Sequence, residues 1–363
     1  MRHAPPRAVR LWLLVVYAMI GAMVVIGGIT RLTGSGLSMV EWHPLMGALP
    51  PLDQARWEAV FLRYQQTPQY AHVNSWMTLA DFKQIFFWEY LHRLWGRLIG
   101  VVFFLPWLVF VVRRQLRGAV AWRAGGAFVL GGAQGLLGWF MVKSGLVNMP
   151  EVSHLRLAAH LSLAFVVAGW VQWLWMDLAW DTATSDASAA ESTPTATRPL
   201  SSSIRWGLVG LIGLQVVYGA LMAGKRAGLI FATFPDMNGQ WLPDGWANGA
   251  SVGSALLNNP IAIHFMHRTL AWVVLVAALA VALVAWRRSV TRRQRRLAVG
   301  LALVVSLQLI LGAVTVLSHV NIWVATLHQG LALILLSVAL AVAHTFRVDR
   351  TPSASSTPRS RVR

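Results

Sequence analysis

The residues best equipped for chemistry in this sequence are histidines, and they recur in two matched sets. Glu89-Tyr90-Leu91-His92-Arg93 is followed by His160, and His264-Phe265-Met266-His267-Arg268 is followed by His328. Each set places one His near the start of one apolar run and another near the start of a second. Neutral imidazole is a common axial ligand of haem iron, and two imidazoles on facing helices make the iron six-coordinate. Zinc would want more ligands close together, and the chain has neither an HExxH motif nor a Cys cluster. Copper would want Cys with His and Met, and the chain has no Cys. The pattern predicts two haem sites, His92 with His160 and His267 with His328, and neither copper nor zinc. The absence of Cys also excludes disulfides and thiol redox chemistry.

Cations stand beside both motifs. Arg93, Arg97 and Arg268 follow the histidines, while Arg31, Lys83, Lys225 and Arg226 flank helix ends. Haem propionates are carboxylates, and Arg can pair them bidentately, so Arg31, Arg93, Arg97 and Arg268 are propionate candidates. One position breaks the match between the sets. Glu89 stands three residues before His92, where the second set has His264. Residues at i and i+3 share a helix face, so Glu89 points at the edge of any macrocycle held by His92. A carboxylate at a membrane boundary is a functional candidate, here as proton acceptor or charge stabiliser; a salt bridge to Arg93 at i+4 is the structural alternative. His3, His43, His72, His154, His319 and His344 lie outside the pattern and are expected at the surface or interface.

The elements that must position these residues are membrane spans. Of 363 residues 56% are hydrophobic and 12% charged, with 19 Trp; mean hydropathy is +0.56. Eight apolar runs of bilayer length are expected: Leu11–Ile29, Leu91–Val112, Trp122–Val142, Leu155–Met176, Ile204–Ala223, Ile263–Trp286, Leu297–Ser318 and Ile322–Thr345. The net charge of +18 does not signal nucleic acid, because the cations cluster between these runs. Arg2, Arg7 and Arg10, then Arg113, Arg114, Arg117 and Arg123, then the Arg287–Arg296 cluster, then Arg347 and Arg350 all fall on one side if both termini are inside. The first run follows a short basic N-terminus with no evident cleavage site and is read as a retained helix; with no long Arg/Ser-rich leader of the mitochondrial type, a bacterial plasma membrane is expected. With that orientation all four histidines lie near the outer face, His160 and His328 roughly 7–9 Å below the boundary.

The expected fold is an all-α membrane protein of two repeated four-helix bundles, residues 1–176 and 204–346. Residues 177–203, rich in Ser, Thr, Ala and Pro, form a cytoplasmic linker, and 347–363 a basic disordered tail. Gln134-Gly135-Leu136-Leu137-Gly138 and Gln308-Leu309-Ile310-Leu311-Gly312 recur at nearly the spacing of the His-Arg motifs, which supports the repeat. The long segments 30–90 and 224–262 are then outside, placed to cover the bundle ends.

On the residues alone three readings stand level: an enzyme acting on haem, a di-haem b-type cytochrome that exchanges electrons with quinone, and a haem exporter. The chain resembles the haem A synthase family over nearly its whole length. The segments that carry the resemblance are Gly27–Met39 (GGITRLTGSGLSM), Asp81–Arg93 (DFKQIFFWEYLHR), Gly138–Leu146 (GWFMVKSGL) and Phe234–Met237 (FPDM). The resemblance implies oxidation of the C8 methyl of haem O to the formyl of haem A through hydroxylated intermediates. It implies a substrate haem in the N-terminal half between His92 and His160, and a haem b in the C-terminal half between His267 and His328. Glu89 matches the essential acidic position. Haem O synthase (protohaem farnesyltransferase) as supplier, the cytochrome c oxidase assembly machinery, membrane lipid and an electron acceptor are the implied partners. The lack of Cys places the chain with the Cys-less branch.

Overall fold

Local signals start the helices that carry the site. Thr78 and Asp81 form a capping box, Thr78 N–H donating to Asp81 Oδ2 at 2.9 Å, and open a helix well before the apolar run begins. Asn259 accepts from Ile261 N–H at 2.9 Å, and Pro260 takes the first helical position, where its missing N–H is harmless. Asn321 caps Trp323 N–H at 3.0 Å.

A computed structural model describes residues 6–41, 49–146, 150–187, 199–249 and 251–347. Its helices are α1 (Arg7–Leu32), α2 (Gln54–Gln65), α3 (Leu79–Val112), α4 (Gly118–Lys143), α5 (His154–Ala187), α6 (Ser202–Gly224), α7 (Val252–Asn258), α8 (Pro260–Arg288), α9 (Arg292–Leu317) and α10 (Ile322–Thr345). Eight of them are long and apolar enough to cross a membrane, and each contains or closely matches an expected run. His3, His43, residues 188–198 of the expected linker and nearly all of the expected basic tail lie outside the described residues; residues 177–187 of that linker belong to α5.

In the first half α1 packs on α3 and α5, and α4 packs on α3 and α5; in the second, α6 packs on α8 and α10, and α9 on α8 and α10. The halves meet where α1 and α5 touch α10 and where α5 touches α6. One apolar core runs through both, including Val16, Val24, Val171, Ile212 and Leu336. Polar ties cross the seam. Gln329 donates to Val24 O at 2.7 Å, and its amide packs closely over Gly28, 3.1 Å from where a Cβ would stand. Gln172 donates to Ser337 O at 2.8 Å.

On the side expected to be outer, α2 packs against the projecting start of α3 through Tyr64, Phe82 and Phe86. The Tyr64 hydroxyl donates to Gln69 Oε1 at 3.0 Å and accepts from Asn74 Nδ2 at 2.7 Å. Burial raises its pKa, so it stays a donor.

At the opposite ends of the helices, α5 continues past Met176, and Asp177 gathers three basic side chains. It lies 2.8 Å from Arg123 and 2.9 Å from both His344 and Arg347. His344, expected at the surface, is instead buried at 3% exposure and edge-on to Trp173 and Trp180. The buried carboxylate offsets the cost of desolvating its imidazole. Asp177→Ala leaves this cluster without its centre. We expect a loss of roughly 3 kcal/mol, the low end for a broken buried pair because the carboxylate keeps some exposure. It would be read as a lowered thermal midpoint in detergent; an unchanged midpoint refutes the assignment.

Candidate functional site

Each of the four patterned histidines seats its ring against a glycine of a neighbouring helix. A Cβ at Gly27 on α1 would lie 3.5 Å from His92 Nε2 on α3, and one at Gly138 on α4 would lie 2.9 Å from His160 Cε1 on α5. In the second half, a Cβ at Gly219 on α6 would lie 3.1 Å from His267 Cε1 on α8, and one at Gly312 on α9 would lie 3.0 Å from His328 Cε1 on α10. At the last three positions a side chain would press on the imidazole, which would have to shift to admit it. One turn before each of these three stands a glutamine that reaches the same histidine. Gln134, Gln215 and Gln308 donate to the backbone carbonyls of His160, His267 and His328 at 2.9, 3.0 and 3.1 Å.

The His267 and His328 rings stand nearly perpendicular, with centroids 6.5 Å apart and planes 84° apart. A metal held between two imidazoles needs bonds of about 2 Å plus roughly 1 Å from nitrogen to ring centre on each side, or about 6 Å in all. The pair is therefore spaced for one ion between them. They line a cavity of about 580 Å³, within the size range of organic cofactor sites. Among the described residues no group of three or more His, Cys, Asp or Glu is gathered for a metal ion. A macrocycle that supplies its own equatorial nitrogens fits this donor set.

Glu89 is buried at 2% exposure. It accepts from Ser38 Oγ and Met39 N–H, both at 2.7 Å, and from Arg93 at 2.5 Å. The i,i+4 salt bridge is thus made, and Arg93 further donates to Met39 O at 2.9 Å and Glu41 O at 3.1 Å. The second half repeats this arrangement without the acid. Arg268 lies 2.9 Å from His264 Nε2 and donates to Asp236 O and Pro235 O in the loop between α6 and α7. Both arginines, singled out as propionate candidates, hold an outer loop onto the residue one turn before them.

The remaining cations divide. Arg97 lies one turn beyond Arg93 on α3. Arg31, at the end of α1, lines the second-half cavity together with Gln69 and Asn74, so the first half contributes to the wall around His267 and His328. Arg226 pairs with Glu151 at 3.0 Å, and Lys83 sits over the Trp57 ring. Reading the sequence overlooked Gln215 and Gly219, although they repeat the Gln-x-x-x-Gly spacing already visible at Gln134 and Gln308. It also overlooked Ser38 and Met39, for which no spacing signal existed.

A family model described as Cytochrome oxidase assembly protein (COX15-CtaA) matches residues 10–340. The chain belongs to this family. All four patterned histidines and Glu89 fall inside the matched stretch. Among curated relatives, a protein named Heme A synthase from Rhodospirillum centenum is 44% identical over 349 residues, covering 96% of this chain and 91% of the relative. One of the same name from Paramagnetospirillum magneticum is 45% identical over 342 residues, covering 93% of each. Another, from Rhizorhabdus wittichii, is 43% identical, covering 93% of this chain and 94% of the relative.

Proposed function

We propose that this chain is a haem A synthase, an enzyme that oxidises the C8 methyl of haem O to a formyl group. The observation that carries the proposal is the contrast between two matched frames. Arg93 and Arg268 grip their loops alike, yet the partner one turn back is a carboxylate in the first half and a neutral imidazole in the second. That contrast suits a first half that acts on its haem and a second half that only holds one. The names of the relatives agree with it.

His92 and His160 hold the substrate haem, and His267 and His328 hold a haem b, which supplies electron transfer when bound. If water is the oxygen donor, hydroxylation and further oxidation of the methyl release protons and electron pairs. The electrons pass to an acceptor outside the chain. As electrons leave the macrocycle, positive character builds at the methyl. The Glu89 carboxylate stabilises it. Ser38, Met39 and Arg93 keep the carboxylate in place, and the outer loop excludes water from that side. Arg31 and Arg97 are the arginines we assign to propionates, with Arg93 and Arg268 in support through the loops.

Haem O reaches the protein from a haem O synthase, and haem A leaves toward cytochrome c oxidase assembly. The first bundle ends with α5 at Ala187 and the second opens with α6 at Ser202, with the linker between them. We place the chain in a bacterial plasma membrane, termini and basic loops inside and the histidines near the outer face.

The test is haem extraction and mass analysis of protein produced with a haem O supply. Haem A or its hydroxylated precursor beside haem b is expected. Unmodified haem b alone, with haem O and an electron acceptor present, would instead favour the di-haem quinone cytochrome, in which Glu89 has no role. His267→Ala is expected to lose the haem b, and His264→Ala to keep it, because His264 is engaged by Arg268. Equal loss in both variants would reject His267 as the specific ligand.

A further inference from the structure

We propose that Gln134, Gln215 and Gln308 are positioning residues for the haem ligands, each accepting the Nδ1–H of its histidine on the carboxamide Oε1. The inference rests on the ligand reading above. A metal bound at Nε2 leaves the proton of a neutral imidazole on Nδ1, and that N–H requires an acceptor to fix tautomer and ring orientation.

The structure supplies unmatched atoms of the right kinds. The Nδ1 atoms of His160 and His328 are buried without a hydrogen-bond partner. The Oε1 atoms of Gln134, Gln215 and Gln308 are buried without one as well. Buried polar groups are nearly always satisfied, so orphans repeated at equivalent places point to a bond completed by a bound group. The glutamines are already close. Besides reaching the backbone carbonyls, the Gln215 amide nitrogen lies 3.2 Å from His267 Nδ1, and that of Gln134 lies 3.3 Å from His160 Nε2, so the proposed bond requires each amide to present its oxygen to Nδ1 in place of its nitrogen. The ring edges face the right helix too. A Cβ at Gly138 would lie 2.9 Å from His160 Cε1 and 3.4 Å from Nδ1, and one at Gly312 would lie 3.0 and 3.6 Å from the same atoms of His328. In the proposed arrangement the amide plane turns so that Nε2 stays on the carbonyl while Oε1 meets Nδ1–H.

The first half departs from this at α1. Met23 stands one turn before Gly27, where the pattern would put glutamine, and its methyl packs near Gly96 of α3. Among the described residues no glutamine reaches His92. His92 therefore lacks the glutamine that the other three histidines share, and the proposal is confined to His160, His267 and His328.

The test compares Gln308→Leu with Gln308→Glu in the purified holoprotein, reading haem retention, the reduction potential of haem b and the ferric low-spin resonance spectrum. An acceptor on Nδ1–H makes the imidazole a stronger donor and stabilises the ferric iron. Gln308→Leu is expected to raise the potential and to weaken haem binding roughly tenfold or more. Gln308→Glu keeps an acceptor but loses the amide donor to the His328 carbonyl, and it is expected to lower the potential. Shifts in the same direction, or none in either variant, overturn the proposal, since a purely structural clamp would fail in both. If Gln308→Leu holds no haem, the same pair at Gln215 decides the question on the same criteria. A His328→Ala control that retains its full haem b would refute the ligand reading itself, and with it this inference.

Discussion

Glu89→Gln is expected to abolish haem A formation while leaving haem b in the protein. The amide keeps the shape of the carboxylate and an oxygen that can accept from Ser38 Oγ or Met39 N–H, whose bonds are 2.7 Å in the wild type. It removes the charge. Losing electrostatic stabilisation or proton transfer at a reacting centre typically costs roughly 100-fold or more. The measurement is haem A per polypeptide after expression with excess haem O, beside haem b content and thermal midpoint. The ion pair with Arg93 is buried, so a purely structural Glu89 would show itself differently: haem content and midpoint would fall together with product. Wild-type haem A from Glu89→Gln removes the carboxylate from the mechanism.

The second large effect is expected from single methyl groups added beneath the histidines. Alanine at Gly138, Gly312 or Gly219 puts a Cβ 2.9, 3.0 or 3.1 Å from an imidazole carbon, and the ring must move. At Gly27 the corresponding distance is 3.5 Å, an ordinary contact. A misplaced axial ligand weakens metal binding, and we expect roughly tenfold or greater losses of haem affinity. Gly219→Ala and Gly312→Ala should lose haem b, Gly138→Ala should lose the substrate haem, and Gly27→Ala should be nearly silent. Haem retained through purification, resolved by type, measures all four. Equal retention across the series would mean that the rings do not depend on these glycines.

Much of the architecture was legible because its signals are local. A run of about 20 apolar residues must span a bilayer as a helix, since lipid satisfies no backbone groups. Hence all eight spans could be read, their ends blurred only where caps such as Thr78 and Asn259 start helices outside the apolar run. The family, too, could be read from short motifs. His344 was misjudged because its partner Asp177 lies far away in sequence, on another helix.

The sequence by itself determined the spans, the repeated His-Arg motifs, the Gln-x-x-x-Gly spacings and the single exchange of Glu89 for His264. Each depends only on residue type and on helix periodicity, which puts neighbours at i+3 and i+4 on one face. Tertiary structure alone decided what those residues touch. It turned Arg93 and Arg268 toward loop carbonyls, brought Ser38 and Met39 down onto Glu89, and set the His267 and His328 rings 6.5 Å apart. It also put Arg31 of the first half into the wall of the second-half cavity. These contacts arise where loops fold back over helix ends and where the two halves meet, and no local periodicity encodes which surfaces meet there.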